Sequence, residues 1–301
     1  MKPIKQIRDI LVYINNHPLA GRHKLRAFYK FISWQIHSRI TTDPITVPFT
    51  EKTYLLVKKG MAGATGNIYT GLHEFEDMAF LLHFLNTEDL FLDIGANIGS
   101  YTILASGHKA AASIAFEPVP STFHSLEKNI RLNSLEHKVK AMNVGVGAKH
   151  ERRKFTTNMD SANHVSIQTE GVDNENTVDT TMVTVDEIVA KEICPLMIKI
   201  DVEGFESEVL KGMTNTLGDN GLKAVLIELN GCGERYGYKE NDIHELFIKN
   251  GFKPYSYEPF ERKINLLETY GKFNTLYLRD VDFIKNRILL SDKVNIFSES
   301  F

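Results

Sequence analysis

The sequence predicts an α/β protein: a doubly wound, mostly parallel sheet of seven strands, helices on both faces, an antiparallel edge hairpin and an N-terminal helical and β-hairpin extension. Three observations carry that prediction. From residue 90 onward, short apolar runs alternate with segments of helical period, as in βα repeats around a parallel sheet. The first run, Leu-Phe-Leu-Asp-Ile at 90–94, passes through glycines at 95 and 99 into a helical segment, a strand-to-helix turn suited to a nucleotide-type ligand. The last two strands are joined by residues 258–272, which are polar and lack a helical period, so those strands are expected to pair as an antiparallel hairpin at one sheet edge.

The elements follow in order. Ile4, Ile7, Ile10, Leu11 and Ile14 recur at helical spacing, as do Phe28, Phe31, Ile32 and Ile36, so residues 1–40 form a helical arm. Residues 45–47 and 54–57 are β-prone and read as a hairpin, and the glycines between 60 and 71 read as a loop. Phe75, Met78, Ala79, Leu82 and Leu85 place a helix over 74–85. Strands are then expected at 90–94, 113–117, 139–146, 196–201, 223–229, 252–257 and 273–278. Helices are expected at 121–132, 206–217 and 242–250. Residues 147–192, rich in Thr, Asn, Asp and His, exceed a usual crossover and form an insertion expected to contact substrate. The chain thus divides into an arm and hairpin over 1–70 and a ligand-binding domain over 71–301.

Composition sets limits. A chain of 301 residues with 43% hydrophobic and 24% charged residues can bury a large core without disulfides or metals. Its two cysteines, Cys194 and Cys232, lack metal-ligand spacing and are expected to stay reduced, which fits the cytoplasm. A net charge of −3 argues against a nucleic-acid partner. No run is long and apolar enough for a transmembrane segment, and the N-terminus lacks a secretory signal pattern. Residues 1–40, however, hold eight Lys and Arg against the single acid Asp9. The arm is expected to cap the main domain, with peripheral membrane or partner-protein contact as the sharper alternative.

Chemistry concentrates at strand ends. Asp93 lies just before Gly95, Ala96, Asn97 and Gly99, a G-x-x-x-G turn distinct from the G-x-G-x-x-G of dinucleotide enzymes. A carboxylate in that cradle would repel a pyrophosphate and attract an ammonium and a sulfonium, so the expected cofactor is S-adenosyl-L-methionine. Glu117, 24 residues later and followed by Pro118, ends the next strand, where a carboxylate can accept both ribose hydroxyls of an adenosine. Asn143 and Val144 end the third strand, where adenine is expected. In the 198–206 segment, Asp201 and Glu203 should face the reacting centre, since ligands lie outside the carboxyl ends of the strands. Either acid could remove a proton from an acceptor hydroxyl, and His164 in the insertion is a further candidate base. Asp201, Glu228 and Asn230 could together hold a divalent cation such as magnesium, a secondary expectation.

At this point the chain resembles the FkbM-type methyltransferases, of the class I, Rossmann-like S-adenosylmethionine-dependent fold. The resemblance rests on Phe91-Leu-Asp-Ile-Gly-Ala-Asn-Ile-Gly99, Ala115-Phe-Glu-Pro118, Ile198-Lys-Ile-Asp-Val-Glu-Gly-Phe-Glu206 with Leu210-Lys-Gly212, and Phe273-Asn-Thr-Leu-Tyr277. It covers roughly residues 70 to 280. It implies O-methyl transfer to a small-molecule or glycan acceptor, often a sugar of a glycolipid, polysaccharide or glycosylated natural product. It also implies cofactor contacts at Asp93, Gly95, Asn97, Gly99 and Glu117 and active-site acids at Asp201 and Glu203. Two other readings compete. A nicotinamide dehydrogenase is disfavoured by Asp93 and by the lack of a Tyr-x-x-x-Lys constellation, and a non-catalytic scaffold of the same fold by the intact motifs.

Overall fold

The computed structural model describes residues 2–159, 162–166 and 176–301. Helices α1 (Lys2–Asn16) and α2 (Lys24–Ile40) form the N-terminal arm, and α2 buries Ala27, Phe31, Trp34 and Ser38 along one stripe. Strands β1 (Ile45–Pro48) and β2 (Tyr54–Val57) pair antiparallel, as expected. The loop expected over 60–71 is instead a helix, α3 (Ala62–Thr70). Gly66 answers a packing need, since a Cβ there would lie 2.5 Å from His73 Nδ1. Helix α4 (Phe75–Phe84) is buried nearly all round, as a helix sandwiched between sheet and chain termini must be.

Strand β3 (Leu90–Ile94) turns into α5 (Ser100–Ile103), which continues as a π-helical turn over Leu104–His108. Then come β4 (Ala112–Phe116), α6 (Pro120–Leu132), opened by proline in its first turn, and β5 (Val139–Met142). The strand expected over 139–146 breaks after Met142. Its second part, β6 (Gly145–Val146), leaves the main sheet for a three-stranded side sheet with β7 (Glu151–Thr156) and β8 (Thr177–Val183). Part of the 147–192 insertion therefore forms a β-hairpin, while residues 160–161 and 167–175 lie outside the described residues. Helix α7 (Val185–Val189) follows, with Thr184 Oγ1 accepting from Glu187 N at 3.2 Å as its cap.

Next are β9 (Met197–Ile200), α8 (Glu206–Lys211) and α9 (Thr214–Gly218). The single helix expected over 206–217 is split here because Gly212 presses on the backbone of Gly147, where a Cβ would stand 2.0 Å from the carbonyl oxygen. The chain ends with β10 (Ala224–Glu228), α10 (Glu240–Lys249), β11 (Lys253–Glu258), β12 (Lys263–Leu266), β13 (Asn274–Leu278), α11 (Val281–Leu290) and a small hairpin of β14 (Asn295–Ile296) and β15 (Glu299–Ser300).

The main sheet has eight strands, in the order β12-β11-β13-β10-β9-β3-β4-β5. The expected seven fall one short because the polar connection contains β12. An edge strand half open to solvent, with Lys263 in it, carries little apolar signal. Strands β5, β4, β3, β9 and β10 run parallel, while β13 pairs antiparallel with both β10 and β11. The antiparallel pair thus lies one strand inside the edge. The winding direction changes between β3 and β9, which opens a crevice at their carboxyl ends.

Two cores flank the sheet. Leu92, Ile94, Ile198 and Ile200 face α8, α9 and α10, whereas Phe91 and Met197 face α4, the arm and Phe301. Asp93 and Lys199 fall on the second face by strand alternation, and they are register partners across β3 and β9. Among the described residues no helix is long and apolar enough to cross a membrane.

Candidate active site

The turn after β3 is shaped by two close contacts. Gly95 has φ +80°, and a Cβ there would lie 1.8 Å from the Asp201 carbonyl oxygen. At Gly99, φ +91°, a Cβ would lie 2.5 Å from Leu126 Cδ1 of α6. Both φ values favour glycine as well, so the G-x-x-x-G spacing reflects one contact with β9 and one with α6. Between them Asn97 adopts φ 52°, and its Oδ1 accepts from Ile98 N at 2.7 Å.

Asp93 is buried. Its Oδ2 accepts from Thr102 N at 3.0 Å and Thr102 Oγ1 at 2.6 Å, while Oδ1 is buried with no hydrogen-bond partner. Burial raises its pKa, opposed chiefly by Lys199. A cationic ligand group would satisfy the orphaned oxygen and reverse that shift. Glu117 is also buried, with Oε2 accepting from Asn97 N at 3.0 Å and Oε1 from Val119 N at 2.9 Å. Burial pushes its pKa up to about 7.

The other end of the crevice collects acids around one lysine. Lys199 Nζ donates to Asp201 Oδ2 at 2.7 Å and lies 4.9 Å from the centre of the Tyr101 ring. Desolvation alone would lower the Lys199 pKa, but Asp201, Asp93 and Glu74 overrule it and raise it. Glu203 sits at φ 53°, a strained backbone for a non-glycine residue, and burial followed by the Asp201 charge pushes its pKa up to about 7. Burial and the Asp201 and Glu203 charges raise Glu228 well above the carboxylate range, and its Oε2 is buried without a hydrogen-bond partner. Oxygens of Asp201, Glu203 and Glu228 all lie within 4.8 Å of one another, a group that could hold a metal ion. Asn230 is exposed, and its Oδ1 accepts from Cys232 N at 2.9 Å within the local turn.

A single cavity of about 260 Å³ unites the two ends, lined by Asp93, Gly95 to Asn97, Glu117 and Pro118 on one side and by Asp201, Glu203 and Glu228 on the other. Asn163 of the insertion lines it too. His164 does not: it is buried, with Nδ1 2.9 Å from the Ala162 carbonyl. Asn143 stands behind the cradle, donating to the carbonyls of Glu117 at 2.8 Å and Pro118 at 3.1 Å, and Val144 lines a separate small cleft beside Gly95. Sequence reasoning missed Lys199 and Glu74, both of which line the cavity. Glu74 accepts from Tyr101 Oη at 2.8 Å and Asn274 Nδ2 at 2.8 Å.

A family profile described as the methyltransferase FkbM domain matches residues 93–254. The chain belongs to the FkbM methyltransferase family. The FkbM match begins at Asp93 and takes in Glu117, Asp201, Glu203 and Glu228, leaving the helical arm and the last strands outside it. The chain is 31% identical over 159 residues to the hexuronic acid methyltransferase AglP of Haloferax volcanii, an alignment covering 52% of this chain and 62% of that protein. It is similar to the crystal structure of methyltransferase FkbM from Methylobacillus flagellatus, with 15% identity, a TM-score of 0.44, and coverage of 72% of this chain and 52% of that one. A precorrin-6Y C5,15-methyltransferase structure from Geobacter metallireducens is similar at 11% identity and a TM-score of 0.40, covering 74% and 93% respectively.

Proposed function

We propose that the protein is an S-adenosylmethionine-dependent O-methyltransferase acting on a hydroxyl of a sugar. The observation that carries this reading is one cavity joining the orphaned oxygen of Asp93 and the Glu117 carboxyl to the Asp201, Glu203 and Glu228 group. When bound, S-adenosylmethionine supplies a methyl group on a cationic sulfonium. Asp93 would hold its ammonium, directly or through water, and Glu117 its ribose hydroxyls, since each Glu117 oxygen accepts only one backbone N–H.

The acids then divide by environment. Glu203, with a proton affinity near neutrality, suits the base that takes the proton of the acceptor hydroxyl. Glu228, raised further by burial and the neighbouring acids, is suited to hold a proton and donate a hydrogen bond that orients the acceptor. Asp201 is held by Lys199, so it positions charge rather than moving a proton. Lys199 already neutralises Asp201, one of the three facing carboxyls, and activity is expected to survive exhaustive chelation. The hexuronic acid in the name of the AglP relative makes sugars the first acceptors to examine.

The test is transfer of a labelled methyl group to a panel of neutral sugars, hexuronic acids and their glycosides. A product stable to mild alkali, as an ether is and an ester is not, is expected. Binding of S-adenosylmethionine without transfer to any sugar would refute the acceptor class. An alkali-labile product would refute transfer to a hydroxyl.

A further inference from the structure

We propose that the outer face of α2 is a docking surface for an anionic lipid bilayer. Leu25, Tyr29, Ile32, Ile36 and Ile40 follow one another at four, three, four and four residues and so form one stripe on α2. They are 88%, 72%, 56%, 53% and 79% exposed. The opposite stripe, Ala27, Phe31, Trp34 and Ser38, is the one packed on the body. A surface helix held by one apolar face is ordinarily polar on the other, but here the second face is apolar as well. Ile7 of α1 extends the patch, meeting Ile32, Ile36 and Ile40 around an apolar depression of about 510 Å³.

Charge selects the occupant. Lys24 and Arg39 are exposed around the stripe, Arg22 and Arg26 flank it while also contacting Glu299 and Ser298, and α2 contains no acid. The arm over 1–40 carries a formal +7, which leaves −10 on the rest of a chain whose net charge is −3. An anionic bilayer would attract the arm, repel the body and accept the five apolar side chains below its headgroups. A second copy of the chain fits less well, because apposing two α2 faces would bring both sets of cations together.

The docking face lies close to the ligand cavity. Phe31 of α2 packs edge-on to Tyr69 of α3 at 5.2 Å, and Gln35 Nε2 donates to Tyr69 Oη at 3.1 Å. Ala62, Ala64 and Asn67 of the same α3 line the cavity. Docking would therefore leave the cavity one helix away from the bilayer-bound element.

Sedimentation of the full chain with vesicles tests this directly, comparing phosphatidylcholine alone with phosphatidylcholine containing phosphatidylserine. Binding is expected only to the anionic vesicles, weakening as salt is raised. The double variant Ile32→Glu with Ile36→Glu should bind about tenfold more weakly or worse. Lys24→Glu should weaken binding in the same direction. Because these positions are exposed, each variant should keep its melting temperature and its response to S-adenosylhomocysteine, which separates loss of docking from loss of fold. No binding to anionic vesicles, or binding that the double variant leaves unchanged, would overturn the proposal. So would a dimer of the full chain that the double variant dissociates, since the face would then be a self-interface.

Discussion

At the scale of single residues the site turns on Asp93 and Lys199, neighbours in adjacent strands that differ in how openly the sequence shows them. Asp93 is legible because its meaning is local, a carboxylate just before two glycines. Lys199 is not, since a lysine inside Met-Ile-Lys-Ile gives no sign that β3, over a hundred residues earlier, brings Asp93 beside it. Replacing Lys199 with Met should leave Asp93 and Asp201 uncompensated and cost about 3 kcal/mol of stability, measurable by urea denaturation. Glu203→Gln should bind cofactor normally yet lower turnover by about 10²-fold or more, as expected for a base. If that variant binds poorly and turns over normally once saturated, Glu203 is a binding residue instead. Glu117 was legible at its strand end, though not that both its oxygens would already brace the Asn97 turn and Val119.

Among the elements, regular βα units are legible in the sequence and irregular ones are not, for physical reasons. Alternating apolar runs report burial, so β3, β4, β9 and β10 stand out. Helix α3 was hidden because glycine disfavours helices intrinsically, and only its packing against His73 reveals why glycine is there. Strand β12 was hidden because an edge strand needs few apolar residues. Contacts between elements were equally out of reach. Asn129 of α6 accepts from Leu56 N at 2.7 Å and donates to the Ile98 carbonyl at 2.8 Å, tying the β1–β2 hairpin to the ligand turn. Asn129→Ala should strand the Ile98 carbonyl and the Leu56 N–H and cost about 2 kcal/mol, visible as a lower urea midpoint. It should also loosen cofactor binding, which a mere surface polar residue would not do.

For the whole molecule the buried titratable groups predict a pH dependence. Burial pushes Asp77, Glu117, Glu203 and Glu206 up to about 7, so the fold retains protons that the unfolded chain has released. Their contribution is present at acid pH and is lost as pH rises from the ordinary carboxylate range through about 7. Burial lowers His17, His83 and His108 to about 4, which has the opposite sign but acts only below their ordinary value of 6.5. Above pH 6.5 the histidines no longer count, and because Lys30, which burial lowers to about 8, opposes the carboxyls only from about that pH upward, the melting temperature of the ligand-free protein should fall between pH 6.5 and 8. Bound S-adenosylmethionine, a cation beside Asp93, should flatten that fall, and scanning calorimetry across the range would register both effects. The central claim is that this cavity holds the methyl donor through Asp93, and isothermal titration with S-adenosylmethionine tests it most directly. Binding by the natural chain and a loss of about 100-fold or more in a folded Asp93→Ala variant is the predicted result. Equal affinity in the two proteins, or no binding by the folded natural chain, would contradict it.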